Sequence, residues 1–374
     1  MTREKLMNVE ELQRTLSESG FDAVVATSLP NVFYTSGAFI HTQISIPDRL
    51  AITVLPKGGD NALLVCNIEE SLAKEESWIE DVRSYVEFAQ SPIALVVDVL
   101  REKGLAEGRI GVEKKHLTAG YYEELAEALP KAELEAGDWV LDHVRSIKTE
   151  GEIERYRQAG LATERAIVEA FAEAKVGDTE RAVLSAIKDK VALFGASDID
   201  FAVMAAGDHS YLAHPPARER PLEPGDLIRV DFGAVWDGYG SDVARNAVVG
   251  EASDAQAEMY RKHREVQRKA IEFMRPGVRG CDVFDCCVQA YAERGIECRG
   301  PHVGHGFGLG GHEVPMLQPY NKEELRPNML ICIEPVILVK DVGGFQLEDL
   351  ILITEDGSEI LTNYADTEEM FVIQ

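Results

Sequence analysis

The amino-acid sequence predicts two domains: an α/β layer over residues 1–145 and an α+β domain over residues 146–374. Three observations predict this. Strand-like and helix-like stretches alternate through the first part of the chain, as in a layered α/β sheet. A long amphipathic helical pattern then opens at Thr149. Beyond it, helical patterns mix with antiparallel hairpins, and two of those hairpins each carry a pair of acidic residues.

In chain order, Val9–Ser19 reads as a helix and Asp22–Thr27 (DAVVAT) as a buried strand. Strands are predicted at Leu50–Leu55, Ala62–Cys66 and Arg109–Val112, and helices around Pro92–Lys103 and Thr118–Leu129. The pattern changes near Asp142–Thr149, which puts the boundary within 140–150. Thr149-Glu150-Gly151-Glu152 has the form of a capping box. Apolar or small residues then recur at Ile153, Tyr156, Gly160, Ile167, Phe171 and Ala174, close to the helical period, until Gly177 ends the run. A second helix starts at Thr179, and Phe201–Ala206 is a strand candidate. Strands at about 226–249, helices at 253–275 and 280–294, and strands at 329–339 and 345–354 complete the chain. There is no tandem repeat, but the paired acids in two hairpins suggest a distant internal duplication.

Composition narrows the function. Acidic residues outnumber basic ones by 65 to 38, a net charge of −27. That argues against a nucleic-acid partner and against an anionic membrane surface. No apolar run is long enough for a transmembrane helix. The N-terminal MTREKLMNVEELQ is charged and lacks the apolar stretch of a signal peptide. The six cysteines, Cys66, Cys281, Cys286, Cys287, Cys298 and Cys332, form no C-x-x-C pair and read as buried thiols of a reducing compartment, which implies the cytoplasm.

Five residues suggest the chemistry. Asp231 and Asp242 flank the turn signal Asp237-Gly238. A turn centred on Trp236-Asp237 sets them opposite each other, and one centred on Asp237-Gly238 makes them diagonal neighbours on one face. Either way their Cβ atoms fall within roughly 5–8 Å. Glu334 interrupts the nearly all-apolar strand Met329–Val339, Gly343-Gly344 reads as the turn, and Glu348 lies on the return strand FQLEDLILIT. His305 sits in the glycine-dense Gly304–Gly308, where backbone can approach a ligand or another strand closely, and His312 follows beside Glu313. Four carboxylates and an imidazole cannot be buried unpaired, and divalent cations are the simplest way to hold them together. Oxygen donors with a single nitrogen suit Mn²⁺ first, then Co²⁺, Fe²⁺ or Zn²⁺. Four carboxylates able to bridge favour two ions over one.

VDFG, GYGSD, GHGFGLGGHEVP, IEP and QLED together resemble the pita-bread metallopeptidase family of aminopeptidase P, prolidase, methionine aminopeptidase and creatinase. The resemblance spans the whole chain. It implies a creatinase-like α/β N-terminal domain and an α+β pita-bread catalytic domain. It implies that Asp231 binds one metal ion, that Asp242 and Glu348 bridge two, and that His305 and Glu334 bind the other. Glu334 would also serve as general base, His312 would contact the substrate or the tetrahedral intermediate, and His214 in GDHSYLAHPP would match a further active-site histidine. Asn31–Gly37 (NVFYTSG) resembles a motif that closes the neighbouring subunit's site, which implies a homodimer.

The chain departs from the peptidase pattern in four places. Ala244 and Asn246 stand where threonines are usual, Gln346 where an arginine is, and Pro301 where a histidine is, with His302 one place late. The expected activity is metal-dependent cleavage of an amide bond, foremost the bond before proline, in a short peptide or small amide. The departures motivate an alternative: the same fold and metals acting as a hydrolase or lyase on a small non-peptide metabolite. A binding protein built on an inactive domain is a third reading, which the intact ligand set disfavours.

Overall fold

The computed structural model describes residues 5–46 and 48–374. The first four residues of the charged N-terminal stretch therefore lie outside the described residues. Two compact units emerge, Met1–Thr149 and Glu150–Gln374. Among the described residues no helix is long and apolar enough to cross a membrane.

In the first unit, strands β1 (Ala23–Ala26), β2 (Ile52–Pro56), β3 (Ala62–Cys66), β4 (Asp81–Tyr85), β5 (Arg109–Val112) and β6 (Glu133–Ala136) form one mixed sheet of order β4-β3-β2-β1-β5-β6. The central strands are buried on both faces, hence their unbroken apolar runs. The edge strands β4 (DVRSY) and β6 (ELEA) are charged, which protects the sheet edge and hides them from a hydrophobicity reading. Helices α1 (Val9–Ser19), α2 (Leu29–Ser36), α3 (Thr42–Ser45), α4 (Glu70–Glu76), α5 (Pro92–Glu102), α6 (Ala119–Ala128) and α7 (Asp138–Ser146) complete it. Asn31–Ser36 is the buried body of α2. The buried Glu113 carboxylate sits at the start of that helix, accepting from Ser28 N at 2.8 Å, from the Ser28 hydroxyl at 2.7 Å and from the Asn31 amide. An anion there complements the helix dipole. With α7 packed on α1, the first unit ends at Thr149, within the 140–150 boundary that the sequence predicts.

The second unit repeats one plan. Helices α8 (Glu150–Glu173) and α9 (Glu180–Leu193) precede β7 (Asp198–Ala206) and the hairpin of β8 (Leu227–Trp236), β9 (Tyr239–Gly240) and β10 (Val243–Val249). Helices α10 (Asp254–Phe273) and α11 (Gly280–Glu293) precede β11 (Gly304–Gly308), β12 (Gly311–Met316), β13 (Leu330–Ile333), β14 (Val336–Val339), β15 (Gly343–Gln346), β16 (Asp349–Ile353), β17 (Ser358–Ile360) and β18 (Phe371–Ile373). The strands form two larger sheets, β18-β10-β8-β7 with β9 attached and β12-β11-β13-β16-β17, plus the pair β14-β15.

Strand alternation gives β8 two jobs. Ile228, Val230, Phe232 and Ala234 pack against Ile167 and Phe171 of α8 and Val183 and Ile187 of α9. Each large apolar side chain buried there contributes roughly 1.5–3 kcal/mol. Arg229, Asp231 and Gly233 point to the other face. Positive φ at both Asp237 (52°) and Gly238 (89°) marks the tight hairpin turn.

The second acidic hairpin departs from expectation. The predicted single strand Met329–Val339 breaks at Glu334 into β13 and β14, which lie in different sheets. Gly343-Gly344 is not the turn but part of β15, paired with Val339 and Leu338. The chain turns through Lys340–Val342, where Asp341 adopts φ 67°. The glycines serve close packing instead: a Cβ at Gly344 would lie 2.0 Å from the Ser210 carbonyl oxygen.

Asn246 joins the two hairpins. Fully buried, it donates to the carbonyls of Ile228 (2.9 Å) and Gly344 (3.0 Å) and accepts from Gln346 N (2.9 Å). The amide thus replaces the framework role that the sequence departure put in question. Asn246→Ala strands two buried backbone groups, Gly344 O and Gln346 N, each worth about 1–3 kcal/mol when left unsatisfied. We expect a clear drop in the urea midpoint. An unchanged midpoint would show that the contact is not part of the framework.

Candidate metal centre

Register brings the acids together. The pairs Phe232↔Val243 and Val235↔Gly240 set Asp242 opposite Gly233, so Asp231 and Asp242 are diagonal neighbours on one face. This is the geometry of a turn centred on Asp237-Gly238. In the second hairpin, the pairs Ile333↔Asp349 and Val336↔Gln346 bracket Glu334 and Glu348, which therefore stand opposite each other where both strands break. His305 on β11 pairs with Cys332 on β13. The glycines beside it allow that closeness: a Cβ at Gly306 would lie 2.1 Å from the Val314 carbonyl oxygen. The hairpins meet where Glu348 N donates to Ala244 O at 3.1 Å.

His305 is fully buried, and its Nδ1 lies 3.0 Å from the Gly306 carbonyl. The proton therefore resides on Nδ1, and the Nε2 lone pair faces the acids. That nitrogen is 3.4 Å from Glu334 Oε1 and 3.9 Å from both Asp242 Oδ2 and Glu348 Oε1. His305 Nε2, Glu334 Oε1 and Glu348 Oε1 are buried without a hydrogen-bond partner. Convergent, unsatisfied nitrogen and oxygen atoms are what a divalent cation completes, so the residues fit such an ion.

The titration pattern has the same cause. Burial, reinforced by Glu334, lifts Asp231 from 3.8 to about 6, against the pull of Arg229 and Gln346. Burial and the neighbouring acids push Asp242 and Glu348 well above the carboxylate range, and push the Cys332 thiol up. Burial also acts to raise Glu334, but His305, His302 and His312 hold it below its ordinary value.

A buried scaffold aims these groups. Gln346 Nε2 donates to Asp231 Oδ2 (3.0 Å) and approaches Glu334 Oε2 (3.4 Å), while Arg229 Nη1 donates to Gln346 Oε1 (2.6 Å). The same guanidinium donates to the carbonyls of Ser210, Leu212 and Ala213, fixing the segment that ends at His214. On the helix-packed face, Arg245 donates to Glu164 of α8 (2.7 Å), to Asp349 (2.7 Å) and to the Glu348 carbonyl (2.7 Å). From α10, His263 Nε2 accepts from Leu347 N (3.2 Å), and Gln267 donates to Leu347 O (2.9 Å). Side chains thus satisfy the backbone where β15 and β16 part, leaving Glu348 fixed. Burial drives His263 down to about 3, so it stays neutral and able to accept.

The histidines differ in placement. The His312 ring stacks on His305 with centroids 3.8 Å apart, and a nitrogen of His312 shares one cluster with His305 and Glu334. Burial, then the neighbouring His305, lowers the His312 pKa, and His302 and His214 add to it. His302 lies within the site, with Nδ1 3.6 Å from Glu334 Oε1. His214 is exposed and stands edge-on to Phe201 at 5.8 Å. The sequence reading had not assigned roles to Arg229, His302 or Cys332. The available signals were an arginine two residues before Asp231 in a buried strand and a cysteine two residues before Glu334.

The C-terminal region matches the model of metallopeptidase family M24 over residues 154–355, and residues 8–147 match the creatinase/prolidase N-terminal domain. The chain belongs to family M24. Like other M24 peptidases it is a metal-dependent enzyme that hydrolyses an amide bond. It is 33% identical to an Xaa-Pro dipeptidase of Pyrococcus horikoshii, over 95% of this chain and 96% of that one. Its structure resembles an X-Pro aminopeptidase of Thermotoga maritima at TM-score 0.84 and 27% identity, covering 97% of this chain and 99% of that one. The dipeptidase PepE of Mycobacterium ulcerans gives TM-score 0.86 at 28% identity, covering 97% and 96%.

The raised carboxyls fix the sign of a pH effect for this M24 chain stripped of metal. Asp231 binds its proton more tightly folded than unfolded, so its contribution is complete below pH 3.8 and is lost as pH rises through about 6. Asp242 and Glu348 act in the same direction. In chelator the thermal midpoint should therefore fall as pH rises through this window, and Mn²⁺ should restore it. A chelated protein whose midpoint rises over that range would contradict the assigned burial.

Proposed function

We propose that this M24 enzyme cleaves the bond before proline in short peptides, as an Xaa-Pro dipeptidase or an aminopeptidase P-like peptidase using two divalent ions. Mn²⁺ is the first choice, with Co²⁺, Fe²⁺ or Zn²⁺ as alternatives. The observation that carries this is the convergence of unsatisfied His305 Nε2, Glu334 Oε1 and Glu348 Oε1 beside Asp231 and Asp242. The names of the relatives support the substrate class. In this reading Asp231 would hold one ion, His305 and Glu334 would hold the other, and Asp242 and Glu348 would serve both. When bound, such ions activate water and polarise the scissile carbonyl.

The chain's own groups do the rest. Glu334 takes a proton on a carboxylate oxygen from the attacking water. His312, its pKa lowered, remains neutral and offers an N–H to the oxygen that gains charge at the carbonyl. His214 orients the substrate from the exposed side. The proton held by Glu334 then passes to the departing proline nitrogen. The departures at Asn246 and Gln346 are absorbed by their own framework contacts. We also read the enzyme as a homodimer, to be checked by sedimentation.

Glu334→Gln should abolish turnover while preserving the unfolding free energy within about 1 kcal/mol. His312→Ala should lower kcat by roughly 10²–10³-fold with a smaller change in KM. The assay is a panel of Xaa-Pro dipeptides with Mn²⁺, run with and without chelator. If no member is cleaved, the non-peptide reading replaces this one. Activity retained by Glu334→Gln removes Glu334 as the base.

A further inference from the structure

We propose that Cys332 is a sulfur donor of the same centre, making it a mixed oxygen, nitrogen and sulfur site. The proposal rests on the metal reading above and extends it. Cys332 is fully buried on β13, directly across from His305 and two residues before Glu334 on the same face. Through the pair Cys332↔Leu350 it is also diagonal to Glu348. Its Sγ and one ligating atom each of Asp242, His305 and Glu348 all lie within 4.8 Å of one another. A thiol packed for volume alone would not need such company. The thiol lies within hydrogen-bonding reach of the Glu348 carboxylate, and, independently of the cysteine, the fully buried His305 Nε2 points into the same space without a partner.

The chemistry balances without an oxidant. The S–H bond breaks as a sulfur–metal bond forms, and the proton leaves to water. A coordinated sulfur makes the site softer than carboxylates and imidazole alone, so Co²⁺, Zn²⁺ or Fe²⁺ gains relative to Mn²⁺. This gives the chain a metal preference of its own.

The experiment is a Co²⁺ titration of the chelator-stripped full-length protein, read by absorbance. Visible ligand-field bands report cobalt in the centre, and a near-ultraviolet charge-transfer band reports sulfur bound to it. We expect both in the wild type. Cys332→Ser should keep the visible bands and lose the near-ultraviolet band, while Cys286→Ser keeps both. In Zn²⁺/Mn²⁺ competition, Cys332→Ser should shift preference toward Mn²⁺ by at least the roughly tenfold that losing even an indirect partner costs. Visible bands without a charge-transfer band in the wild type overturn the sulfur ligand and leave the metal reading standing. A charge-transfer band that survives in Cys332→Ser also overturns it, because the sulfur is then another cysteine. Absence of all bands overturns the metal centre itself.

Discussion

Mutual repulsion among Asp231, Asp242, Glu334 and Glu348, set around one imidazole nitrogen in a largely buried site, is the constraint on which the catalytic unit depends. Left alone, such a cluster holds its protons, and the upward shifts of Asp231, Asp242 and Glu348 express that. A divalent cation changes the balance by supplying the missing positive charge. The fold must then hold the acids in place before the ion arrives, because nothing in their mutual interaction draws them together.

The framework answers that demand with buried side chains rather than with regular sheet. Both strands of the second hairpin break at the acids, and the freed backbone groups are taken up by Arg245, His263 and Gln267. Arg229 links the Asp231 carboxylate, through Gln346, to the segment that carries His214. The acid cluster and the segment that ends at His214 are therefore mechanically joined. The neutral amide of Gln346 donates to two acids without adding charge, and the positive charge sits one step back at Arg229. This arrangement tempers the field at Asp231 while leaving its carboxylate available to an ion.

Much of this was legible in the sequence, for identifiable reasons. Asp237-Gly238 signals a tight turn, which brings Asp231 and Asp242 close together, while the strand register decides that they are diagonal. A glutamate inside an apolar strand demands a partner, and that pointed to Glu334 and Glu348. The second turn was misplaced because Gly343 and Gly344 are small for packing against Leu227 and Ser210 rather than for turning. Strands β4 and β6 were missed because edges carry charge instead of apolar alternation, and α2 because its first turn is held by the sequence-distant Glu113. Cys332 and His302 entered the site only through strand pairing and loop placement, which no local pattern reveals. Asn246 and Gln346, which depart from the peptidase pattern, are working members of the framework.

The most direct test is an anomalous difference map from crystals of the protein grown with Mn²⁺, collected to separate manganese from lighter atoms. The account predicts strong peaks enclosed by His305 Nε2 and the carboxylates of Asp231, Asp242, Glu334 and Glu348. A map with these side chains ordered as described and no peak among them would contradict it.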